Sequence, residues 1–289
     1  VSVLRVGEFE IYLLNDGTVH VDAGGPFGLV PRALYGRTYP PDENNQIPMR
    51  LTCLLVRVGG KNIVIDTGLG DKLNEKGKAQ WGLVRESGEG LVTALARHNL
   101  HPEDIHLVIN THLHADHCAG NTVFAPDGAG IVATFPNAEY VVQRREYYDA
   151  THTNERTRGT YFEVNFAPLI ENGQMRLLDG DTEIVPGLFG IVAPGHTPGL
   201  QVIRFESGGE HALFVGDLAA YTVHFERLSW MTAYDVEPLI TLESKRVWQA
   251  WALRTGATLI FQHDPFTYTT KYVEQGDKRR LIPLSNTYD

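Results

Sequence analysis

Apolar and polar positions alternate along this chain in short bursts. The runs "FEIYLLNDGTV", "LTCLLVRVGGKNIVIDTG", "IHLVINTH", "AEYVVQ", "LFGIVAPGH", "LQVIRFESGGEHALFVGD" and "ATLIFQHD" are rich in Val, Ile, Leu and Phe and are bounded by Gly, Asp or Asn. They read as strands. "VGGKN" and "ESGGE" read as hairpin turns inside two of them.

Two stretches carry a helical period instead. "EGLVTALARHNL" sets Leu91, Leu95 and His98 on one side, with Val92 and Ala96 adjacent. "EPLITLESKRVWQAWALRTG" is longer, with Pro238 suited to its first turn and Gly256 to its C-terminal cap. Ile240, Val247 and Trp251 form one stripe on it, and Leu239, Leu242 and Leu253 a second, so this helix is expected to be well covered. Residues 22–48, 151–168 and 218–234 lack a regular period and read as loop insertions, of the kind that carries binding groups.

The chain has 289 residues, of which 43% are hydrophobic, ample for a large core. Its formal charge of -10 disfavours a broad nucleic-acid surface. No apolar run is long enough to span a membrane. The N-terminal "VSVLRVGEFEIYLL" alternates like a strand and lacks a signal-peptide pattern. Two cysteines make no disulfide framework. A cytoplasmic location is therefore expected.

The chemistry concentrates in "INTHLHADHCAGN", residues 109–121. If the segment is extended, His112 and His114 share a face and can share a metal. Asp116 and His117 follow a turn and point elsewhere, which suggests a second metal beside the first. Further ligand-type residues end other apolar runs: Asp66 in "KNIVIDTG", His196 in "IVAPGH", Asp217 in "HALFVGD" and His263 in "ATLIFQHD". A side chain placed where a strand leaves the core can reach a common surface. Because the proposed ligands, His112 to His263, span so much of the sequence, the chain is expected to be one domain over 1–289.

"THLHADH", "PGHTPG", "VGD" and "QHD", in this order, resemble the metallo-β-lactamase-fold hydrolases, over nearly the whole chain. That resemblance implies an α/β fold, an αββα four-layer sandwich with mixed sheets. It implies two divalent metal ions, one held by His112, His114 and His196, the other by Asp116, His117 and His263. Asp217 would bridge them, and Asp66 would hold a ligand from behind. His and carboxylate ligands favour zinc, with manganese, cobalt or iron as alternatives. Such a pair lowers the pKa of a bridging water, giving a hydroxide that attacks an ester carbon or a phosphorus; Asp116 is counted with the catalytic groups. Asp217 stands where zinc β-lactamases carry Cys, which argues against antibiotic hydrolysis. "GDLAAYTVHFERLSWMTAYDVEP" and "FEIYLLNDGTV" are similar to a group holding quorum-quenching lactonases and methyl-parathion-hydrolase-like enzymes. The expected substrate is a small lactone or ester, foremost an N-acyl-homoserine lactone. The alternatives are an organophosphate triester and an iron-dependent redox role. A homodimer is the expected partner state.

Tyr221, four residues after Asp217, has two readings. It is either a phenol facing the substrate or a packing aromatic, since its spacing differs by about one residue from the tyrosine of some family lactonases. Phe27, Phe225, Trp230 and Tyr234 are candidates for an apolar pocket, with core packing as the alternative for each. His224 reads as a loop residue and Cys53 as core. Cys118 follows a complete ligand set and reads as buried packing.

Overall fold

The computed structural model describes residues 3–87 and 89–284. Val1 and Ser2 of the N-terminal run, Gly88 and the last five residues lie outside them. Strands β1 (Leu4–Val6), β2 (Phe9–Asp22), β3 (Gln46–Val58), β4 (Lys61–Ile65), β5 (Leu83–Val84) and β6 (Leu107–Ile109) belong to one sheet. The pair β7 (Thr122–Phe124) and β8 (Ile131–Ala133) forms a separate ribbon, and β9 (Glu139–Gln143) and β10 (Met175–Leu178) complete the first sheet. Its order is β1-β2-β3-β4-β6-β9-β10, with β5 on β2. The second sheet runs in chain order through β11 (Thr182–Val185), β12 (Leu188–Val192), β13 (Gln201–Ser207), β14 (Glu210–Phe214), β15 (Thr258–Ile260), β16 (Thr269–Gln275) and β17 (Lys278–Pro283).

Both sheets are mixed. β4, β6, β9 and β10 are parallel, as are β14 and β15; the other pairs are antiparallel. Gly59–Gly60 and Gly208–Gly209 turn the β3–β4 and β13–β14 hairpins, all four with positive φ, as two-residue turns require.

The period of two decides the layers. Leu54, Val56, Ile63, Ile65, Leu107 and Ile109 face Ile203, Phe205, Phe214 and Ile260 between the sheets. The residues between them point outward: Cys53, Leu55, Val64 and Val108 pack with helix residues Leu91, Leu95, Ala150 and Leu169. On the far side Val202, Leu213 and Leu259 pack under Trp248, Trp251 and Ala252. The result is the αββα sandwich. Each buried aliphatic side chain contributes roughly 1.5–3 kcal/mol, so the strands are held from both faces. No helix among the described residues is long and apolar enough to cross a membrane.

Two helix expectations need correction. The first helix covers only Leu91–Ala96, and its buried side is Leu91, Ala94 and Leu95, with Ala96 exposed. The second runs Pro238–Thr255 with Gly256 as its left-handed cap, as its ends suggested. Its apolar stripes, however, are only partly covered: Trp251 is buried and Leu242 and Leu253 half-buried, but Leu239 is 77% exposed, Val247 64% and Ile240 42%. The buried face is Thr241, Lys245, Trp248, Gln249, Trp251 and Ala252. The reason is polar. Lys245 Nζ donates to the carbonyls of His224 (3.0 Å) and Trp230 (2.7 Å), and Gln249 Nε2 to that of Phe225 (2.5 Å). This helix face holds a loop whose carbonyls need donors, which hydrophobic periodicity cannot register.

Candidate metal centre

Parallel neighbours release their next residues at the same edge of a sheet. β4 leads into Asp66, β6 into the 110–118 segment, β14 into Asp217 and β15 into His263, while β12 leads into His196. Gly195, just before His196, has φ +139, and a Cβ there would overlap the backbone of Thr241. Only glycine lets this loop close on the long helix. Ala115–Cys118 is a single helical turn, so Asp116 and His117 swing away from the face of His112 and His114.

The candidate side chains converge. One ligand atom from each of His112, His114 and His196 falls in one cluster, from His112, His117 and Asp217 in a second, and from Asp116, His117 and His263 in a third. The atoms of each cluster lie within 4.8 Å of one another. His196 Nε2 is 3.1 Å from His114 Nδ1, and His263 Nε2 is 3.2 Å from His117 Nε2. Ligands of a tetrahedral zinc ion sit roughly 3.3 Å apart, given bonds of about 2.0–2.1 Å. Asp217 lies between the groups: Oδ2 is 3.1 Å from His196 Nε2 and 3.4 Å from His117 Nε2, and Oδ1 is 2.9 Å from His263 Nε2.

The outer ring nitrogens select the tautomers. Nδ1 of His117 lies 2.9 Å from Asp66 Oδ2, Nδ1 of His196 2.9 Å from Asp235 Oδ1, and Nδ1 of His263 2.6 Å from the Arg50 carbonyl. Each partner only accepts, so each Nδ1 carries the hydrogen and each Nε2 turns a lone pair inward. His112 Nδ1 meets Thr111 Oγ1 at 3.2 Å, and that hydroxyl donates to Asp66 (2.7 Å). His112 Nε2 is buried without a hydrogen-bond partner among the described residues. An inward acceptor left bare in a fully buried site is what a metal ligand looks like before the ion is counted. The donor set and this orphaned atom fit a divalent metal.

The electrostatics agree. Burial holds His112 and His114 well below the ordinary imidazole pKa, with the neighbouring histidines adding to the effect. For His117 burial also opposes charge, but Asp116, Asp217 and Asp66 outweigh it and hold its pKa well above the ordinary value. Burial pushes the Asp217 carboxyl up, yet His263, His117 and His196 together hold it well below the usual carboxylate range. Without an ion, His117 and His196, both held above the ordinary imidazole value by the neighbouring carboxylates, carry the positive charge these acids face; a divalent ion would supply it in their place.

Two buried acids here were not read from the sequence. Asp235 bonds His196 and accepts from Thr232 Oγ1 (2.8 Å). Glu146 accepts from Leu113 N (3.0 Å), Tyr161 Oη (2.9 Å) and Thr197 Oγ1 (2.6 Å). It ties the loop of His112 and His114 to the loop of His196. Neither follows an apolar run, so only the chain's path brings them in.

A small cavity of about 110 Å³ opens over the cluster, lined by His114, Asp116, His196, Asp217 and His263 with Val21, Pro26, Met49, Trp81 and Tyr234 among others. Of the four aromatics expected there, only Tyr234 arrives. Phe27 and Phe225 are fully buried in the core, Phe27 stacked on Tyr35 at 4.3 Å. Trp230 lines a different cavity, of about 570 Å³, with Leu29 and Met231. Tyr221 is not brought to the site either. It is fully buried, and its hydroxyl donates to the Pro48 carbonyl (2.9 Å), the packing alternative for that residue. Among the described residues, His224 belongs to no cluster of possible metal ligands. Cys53 and Cys118 are buried in the core.

Comparison with known proteins places these features. The model of the metallo-beta-lactamase superfamily matches residues 49–259. An N-acyl homoserine lactonase of a Bacillus species is 27% identical over 236 residues, covering 78% of this chain and 85% of that protein. A probable metal-dependent hydrolase from Staphylococcus aureus superposes with a TM-score of 0.88 at 32% identity, over 98% of this chain and 99% of the other. AidC, a dizinc quorum-quenching lactonase solved with a product, superposes with a TM-score of 0.79 at 22% identity, over 98% and 97% of the two chains.

Proposed function

Because this chain belongs to the metallo-beta-lactamase superfamily and is one of its hydrolases, we propose that it opens lactone esters at a two-metal site, with N-acyl-homoserine lactones as the substrate class. His112, His114 and His196 hold one ion, Asp116, His117 and His263 the other, and Asp217 bridges them. Zinc is the ion this donor set favours. The whole chain acts as one domain, since the proposed ligands come from both sheets.

The observation that carries this reading is the seat of Asp217. Its Oδ2 lies between His196 of one set and His117 of the other, and its Oδ1 faces His263. A bidentate group between two histidine sets is suited to two ions rather than one. Bound there, the pair supplies Lewis acidity and makes water a nucleophile near neutral pH. The protein's own contribution is to fix the ligands. Asp66, Asp235 and the Arg50 carbonyl hold three imidazoles in one tautomer, and the cavity admits only a small reacting group beside them. The lactonase relatives support the substrate class.

The test is a substrate panel on protein of measured metal content. Two equivalents of zinc per chain and a kcat/KM for acyl-homoserine lactones far above that for aryl esters and phosphotriesters are expected. A phosphotriester preference would replace the lactone reading, and iron with oxygen uptake would replace the hydrolytic one.

A further inference from the structure

We propose that Tyr234 is a catalytic residue, whose phenol donates a hydrogen bond to an oxygen of the bound ester. This rests on the hydrolytic reading above and adds a residue to it. Among the described residues, Tyr234 is the one tyrosine that lines the cavity over His114, Asp116, His196, Asp217 and His263. Its hydroxyl has no hydrogen-bond partner among the described residues, whereas that of Tyr221 is engaged with Pro48. At 40% exposure the side chain reaches solvent at the cavity mouth, where a substrate enters.

The phenol is aimed by its surroundings. Ala233 N donates to the Gly25 carbonyl at 2.8 Å. Arg156 Nη2 donates to the carbonyls of Ala233 (2.8 Å) and Asp235 (3.0 Å), the residues on either side of Tyr234. The backbone is thus clamped just before and just after the tyrosine. Gly25 completes the seat, because a Cβ there would overlap Tyr234 Oη. A neutral donor beside two ligand carboxylates suits the task. Burial raises the phenol above its ordinary value, so it keeps its hydrogen at working pH. An ester oxygen that gains negative charge in the transition state strengthens such a bond, and the gain appears in kcat.

Tyr234→Phe, Gly25→Ala and Tyr221→Phe test this, on whichever lactone, aryl ester or phosphotriester the wild-type protein hydrolyses. Failure of the lactone reading therefore leaves the test standing. Tyr234→Phe is expected to lower kcat roughly 100-fold, the loss typical of one oxyanion donor. Metal content and Tm should be unchanged. Calorimetry should show weaker binding of the hydrolysis product. Gly25→Ala, which displaces the phenol, should lower kcat in the same direction, while Tyr221→Phe should lower Tm and leave kcat within about twofold. A Tyr234→Phe protein with wild-type kcat and product affinity would overturn the proposal, as would loss of kcat in Tyr221→Phe alone.

Discussion

His196 Nδ1 lies 2.9 Å from Asp235 Oδ1, and the same carboxylate oxygen accepts from Thr232 Oγ1 at 2.8 Å. The acid makes His196 present Nε2 to the site and ties that orientation to the turn carrying Tyr234. Asp235→Ala should weaken metal binding 10- to 100-fold, the usual cost of losing such a partner. Competition with a chelator measures it, and unchanged affinity would mean that packing alone orients the imidazole.

Asp217→Asn removes the charge shared by both ligand groups. Metal content should drop for both sites together while the circular dichroism of the metal-free protein matches wild type. Retention of two tightly held ions would show that Asp217 is not the bridge.

Glu146 sits fully buried, with its pKa raised chiefly by that burial. A raised acid stabilises the fold most below the ordinary carboxylate pKa and loses that contribution as pH rises through its own. Glu146→Gln keeps the hydrogen bonds to Leu113 and Tyr161 without the charge. Its Tm should therefore gain on wild type as pH rises from about 4.5, the ordinary glutamate value. Glu146→Ala strands three donors and should cost about 3 kcal/mol or more. A Gln variant that tracks wild type at every pH would place Glu146 outside this titration.

Lys245 is pushed down to about 8, mainly by burial. Between that value and its ordinary 10.5 the unfolded chain holds more protons than the folded one. Stability contributed at this site therefore rises with pH across that window. Denaturant unfolding at pH 8 and pH 10 should show wild type gaining relative to Lys245→Met. Parallel behaviour of the two proteins would contradict it.

The central strands β2, β3, β4, β6, β9 and β12 to β15, their two hairpins and the metal-ligand candidates were legible in the sequence, whereas β5, β7, β8, β10, β11, β16 and β17 were not. Strands with a period of two declare both their faces, and a ligand set leaves His and Asp at the ends of apolar runs, where a one-dimensional reading can see them. Asp66, His196, Asp217 and His263 were legible for this reason. What surrounds them emerged from the fold. Asp235 and Glu146 are ordinary acids in polar stretches until the fold buries them against His196 and Leu113. Tyr221 stands nearer to Asp217 in sequence than Tyr234, yet the Thr222–Glu226 turn carries it into the core. The exposed Leu239, Ile240 and Val247 of the long helix follow the same rule: its covered face combines Trp248, Trp251 and Ala252 with Lys245 and Gln249, which loop carbonyls need as donors. Local pattern records where a side chain leaves its own strand or helix. Which hydrogen bond or cavity it meets depends on segments a hundred residues away, and that pairing is fixed only when the two sheets close on each other.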